Sequence, residues 1–381
     1  MIVDHLIEQA CERAQSSDFG PDGWREGLEV LVESMNREAS LNELGEGVNA
    51  LRLTENLVSR LEIEKCFRAH PEIADEVVDR PVFGLGLPRT GSTALSFLLA
   101  LDDRRRTLRS WEAGEPTPPP EAATQHADPR IDKAHTEITV INEMFPDFVG
   151  MLPQSATGPQ ECLLLMALDF RSQLFEATAR IPTYSRWLAE CDMEPTYRYH
   201  RRVLQLLQWH CPPNKWWLKT PAHIQHLDAL ARVYPDAEFI VTHRDVVKVL
   251  PSVCALMSAL SSPLTDDPDP RHFGRLTTGQ WEEGLRTLIA FRDGGREDRF
   301  HDVHFADMQR DPIGTVERLY RSLGMELPEP TRSLMADWWR TNSEDRAGAR
   351  RYDPAEFGLD PADLRKRFGF YTDRFGITEE N

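Results

Sequence analysis

The sequence predicts an α/β fold: a parallel sheet flanked by helices, with an N-terminal helical lobe and helical insertions. Three observations carry that expectation. Short apolar runs of strand length at 81–87, 216–220 and 238–242 are each followed by a helical stretch, the alternation of a parallel sheet. The first 78 residues instead repeat apolar side chains at helical spacing, as in Leu28, Leu31, Val32 and Met35. One strand also runs into a glycine turn that opens directly into an apolar helix.

Taken in order, residues 1–78 form a helical lobe broken by the Gly20-Pro21-Asp22-Gly23 turn. Residues 79–381 form the second domain. Its first strand, 81–87, leads to Pro88-Arg89-Thr90-Gly91-Ser92-Thr93 and then to the helix 94–101. The proline run 115–121 is a stiff connection. From 128 to about 210 the pattern is mostly helical. Trp216-Trp217-Leu218-Lys219-Thr220 reads as a strand, 221–234 as a helix and 238–242 as a strand. A helix over 245–260 contains Pro251, which disturbs it locally. The polar stretch 261–275 is expected to be mobile and is a candidate lid. A strand at 302–305 precedes a helix from Pro312.

Composition narrows the function. The chain has 381 residues, with 44 Lys and Arg against 62 Asp and Glu, a net charge of −18. That balance makes a poor general binder of nucleic acid, since such binding rests on displacing counterions with basic side chains. It equally disfavours coating an anionic membrane surface. No uninterrupted run approaches 18–20 apolar residues, so no membrane span is expected. The first ten residues lack a basic region followed by an apolar block, so they do not read as a signal peptide. Six scattered cysteines show no CxxC spacing. No metal site is expected, and reduced thiols in a cytoplasm are the expectation.

Gly86-Leu-Pro-Arg89-Thr90-Gly91-Ser92-Thr93 has the glycine spacing of a phosphate-binding P-loop, with Ser92 where that motif has lysine. The glycines let consecutive N–H groups turn inward, and the helix start adds partial positive charge. Arg89 supplies the full charge that position 92 lacks. The sheet is therefore expected to be of the P-loop type. A tight Gly/Pro turn with no ligand is the plain structural alternative.

Leu87-Pro-Arg-Thr-Gly-Ser-Thr93 resembles the 5′-phosphosulfate loop of sulfotransferases that use 3′-phosphoadenosine 5′-phosphosulfate (PAPS). A second segment, Phe239-Ile-Val-Thr-His-Arg244-Asp-Val-Val-Lys-Val-Leu-Pro-Ser252, resembles that family's strand, arginine and helix serine. The block from Tyr352 to Asp360 and the segment Phe175–Tyr184 resemble a large bacterial branch of these enzymes.

The resemblance implies a sulfotransferase that binds PAPS and releases 3′-phosphoadenosine 5′-phosphate (PAP), with no metal required. It implies that Arg89, Thr90, Gly91, Ser92 and Thr93 hold the 5′ end and that Arg244 and Ser252 hold the 3′-phosphate. Arginine suits a dianionic phosphate, and serine donates one more hydrogen bond. Arg350 and Arg351, after Gly348, resemble the family's basic-glycine segment at the same end. Lys219 is implied to stabilise sulfuryl oxygens. The base that takes the acceptor proton is left between two residues. His223 lies near the Lys-Thr strand end, displaced by two residues from the commoner spacing, and imidazole titrates near working pH. Glu161, in Gly158-Pro-Gln-Glu-Cys162, is the rival.

Trp111 is a candidate to stack on adenine or line the acceptor pocket. Phe145, Phe148, Met151 and Leu152 make an apolar loop that favours a hydrophobic small molecule or glycolipid as acceptor. The helical lobe is a candidate homodimer contact, although nothing in its pattern requires one. A P-loop kinase or ATPase is the competing enzyme, disfavoured by Ser92 and by Asp245 as its one poor metal-binding candidate. A non-catalytic PAP-binding protein is the competing binder.

Overall fold

The computed structural model describes residues 1–342 and 352–380. The chain divides into two compact units. One unit gathers Met1–Asp79, Leu108–Lys215 and Leu256–Pro268. The other gathers Arg80–Thr107, Trp216–Ala255 and Asp269–Asn381.

The second unit holds the sheet. Its strands are β1 (Val82–Gly86), β2 (Arg106–Thr107), β3 (Trp216–Lys219), β4 (Glu238–His243) and β5 (Phe300–His304). They lie in the order β2-β3-β1-β4-β5, and every pairing is parallel. β1, β3 and β4 are buried along almost their whole length. A parallel strand covered on both faces needs a continuous apolar run, which is why these segments stand out in the sequence. β2 escapes such reading because it is only two residues long.

Strand order positions the site. After β1 the chain builds β2 and β3 on one side, then β4 and β5 on the other. The ends of β1 and β4 therefore flank a topological switch point, where open α/β sheets leave a crevice for ligands. Beneath it, Leu95, Leu98 and Leu99 of the helix Ser92–Leu99 pack on Val82, Trp217, Ile240 and Val303. Val316, Leu319 and Tyr320 of Pro312–Ser322 close the same core. That helix starts where it does because the Asp311 carboxylate accepts the Gly314 N–H at 3.0 Å, with Pro312 in its first turn.

The first unit is helical. Its longest helix, Glu43–Ala69, is capped by Asn42, whose side chain accepts the Gly45 N–H at 2.8 Å. Arg60 on this helix donates to the carbonyls of Phe19, Pro21 and Leu168 and pairs with Asp169.

Several expectations change. The helix expected over 221–234 is two pieces, a 3-10 turn Pro221–Gln225 and a helix Leu227–Val233, parted at His226. The candidate lid is pinned rather than loose. Thr265 donates to the Ala39 and Ser40 carbonyls, and Arg180 pairs with Asp267 at 2.7 Å. From Pro270 the chain is already in the helix Pro270–Asp293, capped by Asp269. Among the described residues one stretch, Val246–Leu264, is long and apolar enough by length and composition to cross a membrane. It was not expected because Lys248, Pro251 and Ser252 interrupt its apolar run.

Candidate functional site

The loop between β1 and the helix Ser92–Leu99 is shaped by its backbone. Gly86 (φ +118°) and Gly91 (φ +84°) both lie where L side chains are strained. A Cβ on Gly91 would meet the Phe305 ring at 3.1 Å, and one on Gly86 the Thr242 carbonyl oxygen at 3.1 Å. Arg89 itself sits at φ +61°, a rare setting for a non-glycine residue. Thr90 is buried. Its hydroxyl lies 2.8 Å from the Leu87 carbonyl oxygen and 2.6 Å from the Thr242 hydroxyl. The Thr90 side chain thus ties the loop to β4, and only its backbone can serve a ligand. Ser92 and Thr93 begin the helix and are half-buried.

The ends of two strands and the helix after β4 meet at this loop. From β4, Arg244 Nη1 donates to the Arg89 carbonyl at 3.0 Å. From the following helix, Val246–Ser261, Ser252 Oγ accepts from Arg89 Nε at 3.0 Å. From β3, Lys219 Nζ lies 3.5 Å from Thr93 Oγ1. The lysine stem passes over Gly84, where a Cβ would stand 3.1 Å from Lys219 Cγ. Arg89, Thr90, Gly91, Ser92, Thr93, Lys219, Arg244 and Ser252 are therefore one constellation. Burial draws the Arg89 pKa down, Tyr352 opposes this and Arg244 adds to it. An arginine remains charged under such a pull, so the loop gathers three cations.

Arg244 does not pair with Asp245. Asp245 Oδ1 accepts the Val247 N–H at 3.0 Å and caps the helix. The Arg244 guanidinium lies 3.9 Å from the centre of the Phe305 ring and grips Glu380, with Nε and Nη2 both 2.9 Å from its carboxylate. Behind Arg244, His243 is fully enclosed. Its Nε2 is 2.9 Å from Asp302 and its Nδ1 3.1 Å from the Tyr371 hydroxyl. Burial lowers the His243 pKa, against the opposing pull of Asp302. Burial raises that of Asp302, but hydrogen bonds from Arg292 and His243 outweigh it and hold the carboxyl well below the usual range.

The two base candidates have different settings. His223 lies in the Pro221–Gln225 turn at 0% exposure, its ring edge-on to Phe83 with centroids 5.2 Å apart. Glu161 belongs to the helical unit and is half-buried. Its own N–H donates to Gln160 Oε1 at 2.9 Å, and the Gln160 N–H donates to Leu108 O at 2.7 Å, which fixes the segment.

Trp111 is core. It is 1% exposed, with the guanidinium carbons of Arg109 and Arg130 at 5.1 and 4.6 Å from its ring centroid, so no adenine stacks there. Phe145, Phe148 and Met151 are likewise turned inward. Arg350 and Arg351 lie outside the described residues. Among those described, no group of three or more His, Cys, Asp or Glu side chains is gathered to hold a metal.

Sequence reasoning did not find Phe305, Thr242 or Glu380. Phe305 had a signal, an aromatic at the end of a strand; Glu380 had none.

Comparison with known proteins gives one consistent result. The model of the Sulfotransferase family matches residues 81–329. The solved structure of sulfotransferase STF9 from Mycobacterium avium superposes with a TM-score of 0.91 at 31% identity, covering 99% of this chain and 97% of that one. Sulfotransferase STF1 from Mycobacterium tuberculosis gives 0.86 at 32% identity, covering 97% of this chain and 99% of that one. Among curated proteins, the omega-hydroxy-beta-dihydromenaquinone-9 sulfotransferase Stf3 of Mycobacterium bovis is 27% identical over 278 residues, 66% of this chain. The match spans 65% of the length of that relative.

Proposed function

The chain belongs to the sulfotransferase family, and from that premise we propose that it moves a sulfuryl group from PAPS to the hydroxyl of an apolar acceptor. The observation that carries the reading is the convergence of Arg89, Lys219 and Arg244 on one glycine loop at the switch point of the sheet.

The residues fit this donor. Gly91, at φ +84° with Phe305 packed 3.1 Å from where a Cβ would stand, lets the loop turn tightly into the helix so that successive N–H groups can face a ligand. PAPS, when bound, supplies the sulfuryl group and anionic charge at its 5′ and 3′ ends. Arg89, the N–H groups of 90–93 and the hydroxyls of Ser92 and Thr93 would hold the 5′ end. Arg244 and Ser252 would hold the 3′-phosphate. Ser252 Oγ accepts from Arg89, so its own proton is free to donate. Lys219, set beside Thr93, places positive charge where negative charge develops.

For the base, exposure favours Glu161 over His223. A carboxylate at a half-buried position can receive a proton from an acceptor hydroxyl, whereas the enclosed ring of His223 is better suited to hold the Lys219 strand end against Phe83. The acceptor class draws support from the curated relative named for omega-hydroxy-beta-dihydromenaquinone-9.

Titration with PAP, against ADP with magnesium, tests the donor. PAP should bind without metal and in preference to ADP. Arg244→Ala should weaken PAP by ~1.5–3 kcal/mol, the worth of a hydrogen bond to a charged group, and leave adenosine 5′-phosphate nearly unchanged. A preference for magnesium-ADP would reject the reading. Turnover of Glu161→Gln should fall far more than its PAP affinity; a larger fall in His223→Asn would return the base to His223.

A further inference from the structure

The grip of Arg244 on Glu380 has the geometry of anion recognition. Nε reaches both carboxylate oxygens, at 2.9 and 3.1 Å, and Nη2 reaches one at 2.9 Å. Two oxygens on one arginine fork is also how a phosphate is held. The remaining nitrogen, Nη1, is directed at Arg89 O, and one ring of Phe305 lies against the guanidinium carbon. Glu380 therefore fills the seat that the 3′-phosphate would need.

Glu380 is delivered there by specific anchors. Its own N–H donates to Asp245 Oδ2 at 3.0 Å. Upstream, the helix Gly369–Phe375 is fastened to β4 by Tyr371 on His243 and by the Phe375 ring, stacked on His243 at 4.4 Å. Gly376, at φ +62°, ends that helix and turns the chain back toward Asp245. Its neighbour Glu379 faces a different cation, Arg365, at 3.1 Å.

The pair is built to exchange. Arg244 and Glu380 side chains keep 22% and 29% of their exposure. An ion pair that water still reaches contributes little net stability. A phosphate dianion carries more charge than one carboxylate and uses the same bidentate geometry, so the two can compete for one fork. We propose that Glu380 is an internal competitor for the 3′-phosphate: its carboxylate and the nucleotide take turns on Arg244, and its return speeds release of PAP. This rests on the assignment of Arg244 to the 3′-phosphate. Release of product sets the rate of many enzymes, so such a competitor would govern turnover as well as affinity.

The test uses the full chain, titrated with PAP and with adenosine 5′-phosphate. Glu380→Gln should bind PAP about two- to fivefold more tightly, the scale of a partly exposed ion pair. PAP release, followed by stopped flow, should slow by a similar factor, and the gain should shrink at high salt. Adenosine 5′-phosphate should bind both proteins alike, and Glu379→Gln should match the parent. Unchanged or weaker PAP binding by Glu380→Gln, with Arg244→Ala still impaired, overturns the competitor and leaves the 3′-phosphate assignment standing. Normal PAP binding by Arg244→Ala overturns both.

Discussion

Arg60 in the helical unit and Arg244 in the sheet unit both sit in hydrogen-bonded seats, and the seats differ in closure. Arg60 and its partner Asp169 are 1% and 2% exposed, and three backbone carbonyls complete the arginine's coordination. The Tyr199 ring covers it at 3.8 Å. Arg244 has one backbone carbonyl and a carboxylate from a distant segment, and water reaches both partners. A closed seat fixes a cation as structure. An open one leaves the cation in reach of solvent and its partner replaceable. Burial and the origin of the partners, not residue type, separate the two.

The comparison breaks most visibly in stability. Arg60→Met should cost about 3–5 kcal/mol in denaturant unfolding, because Asp169 and the carbonyls lose a buried partner. Arg244→Met should cost less than about 1 kcal/mol. Similar losses for both would erase the distinction between closed and open seats.

Acid sharpens it next. Burial on Glu194–Gln208 pulls the His200 pKa from 6.5 to about 3. The unfolded chain therefore takes up this proton before the folded one does. The contribution is complete above about pH 6.5 and is lost as pH falls from there through about 3. A loss of about 5 kcal/mol is expected over that window, read from urea midpoints against pH. His200→Phe should flatten the acid limb. His243→Gln in the sheet unit should flatten it less, because Asp302 already opposes the effect of burial on His243.

The smallest effect falls on the loop. Gly91→Ala must hold a side chain at φ +84° and 3.1 Å from Phe305. It should cost about 1–2 kcal/mol of stability, while PAP binding should suffer more than the melting temperature implies. Full PAP affinity in the Gly91→Ala variant would remove the loop backbone from the anion site.

Much of the sheet unit was legible because its signals are local. A glycine turn after an apolar run announces β1 and its helix, and Arg244 and Ser252 stand eight residues apart across one strand-to-helix junction. What stayed hidden depends on distance along the chain. Glu380 reaches Arg244 across 136 positions, and nothing in an acidic run forecasts its partner. Thr90 looked like a ligand donor until Thr242 was seen to face its hydroxyl. Trp111 and Phe145 drew attention as large aromatics, and burial decided that both are core. The polar stretch 261–275 looked free because composition does not reveal that Ala39, Ser40 and Arg180 hold it.

The end of β4 has a consequence for how this chain tolerates change. Thr242 meets Thr90, His243 meets Asp302 and Tyr371, and Arg244 meets the Arg89 carbonyl and Glu380, three successive residues with three different duties. Side chains alternate along a strand, so one inserted or deleted residue within Glu238–His243 sends each of them to the opposite face. Point substitutions there would remove one duty at a time, whereas a change of length would scramble all three. The strand acts as a ruler, and engineering of this fold should place its insertions elsewhere.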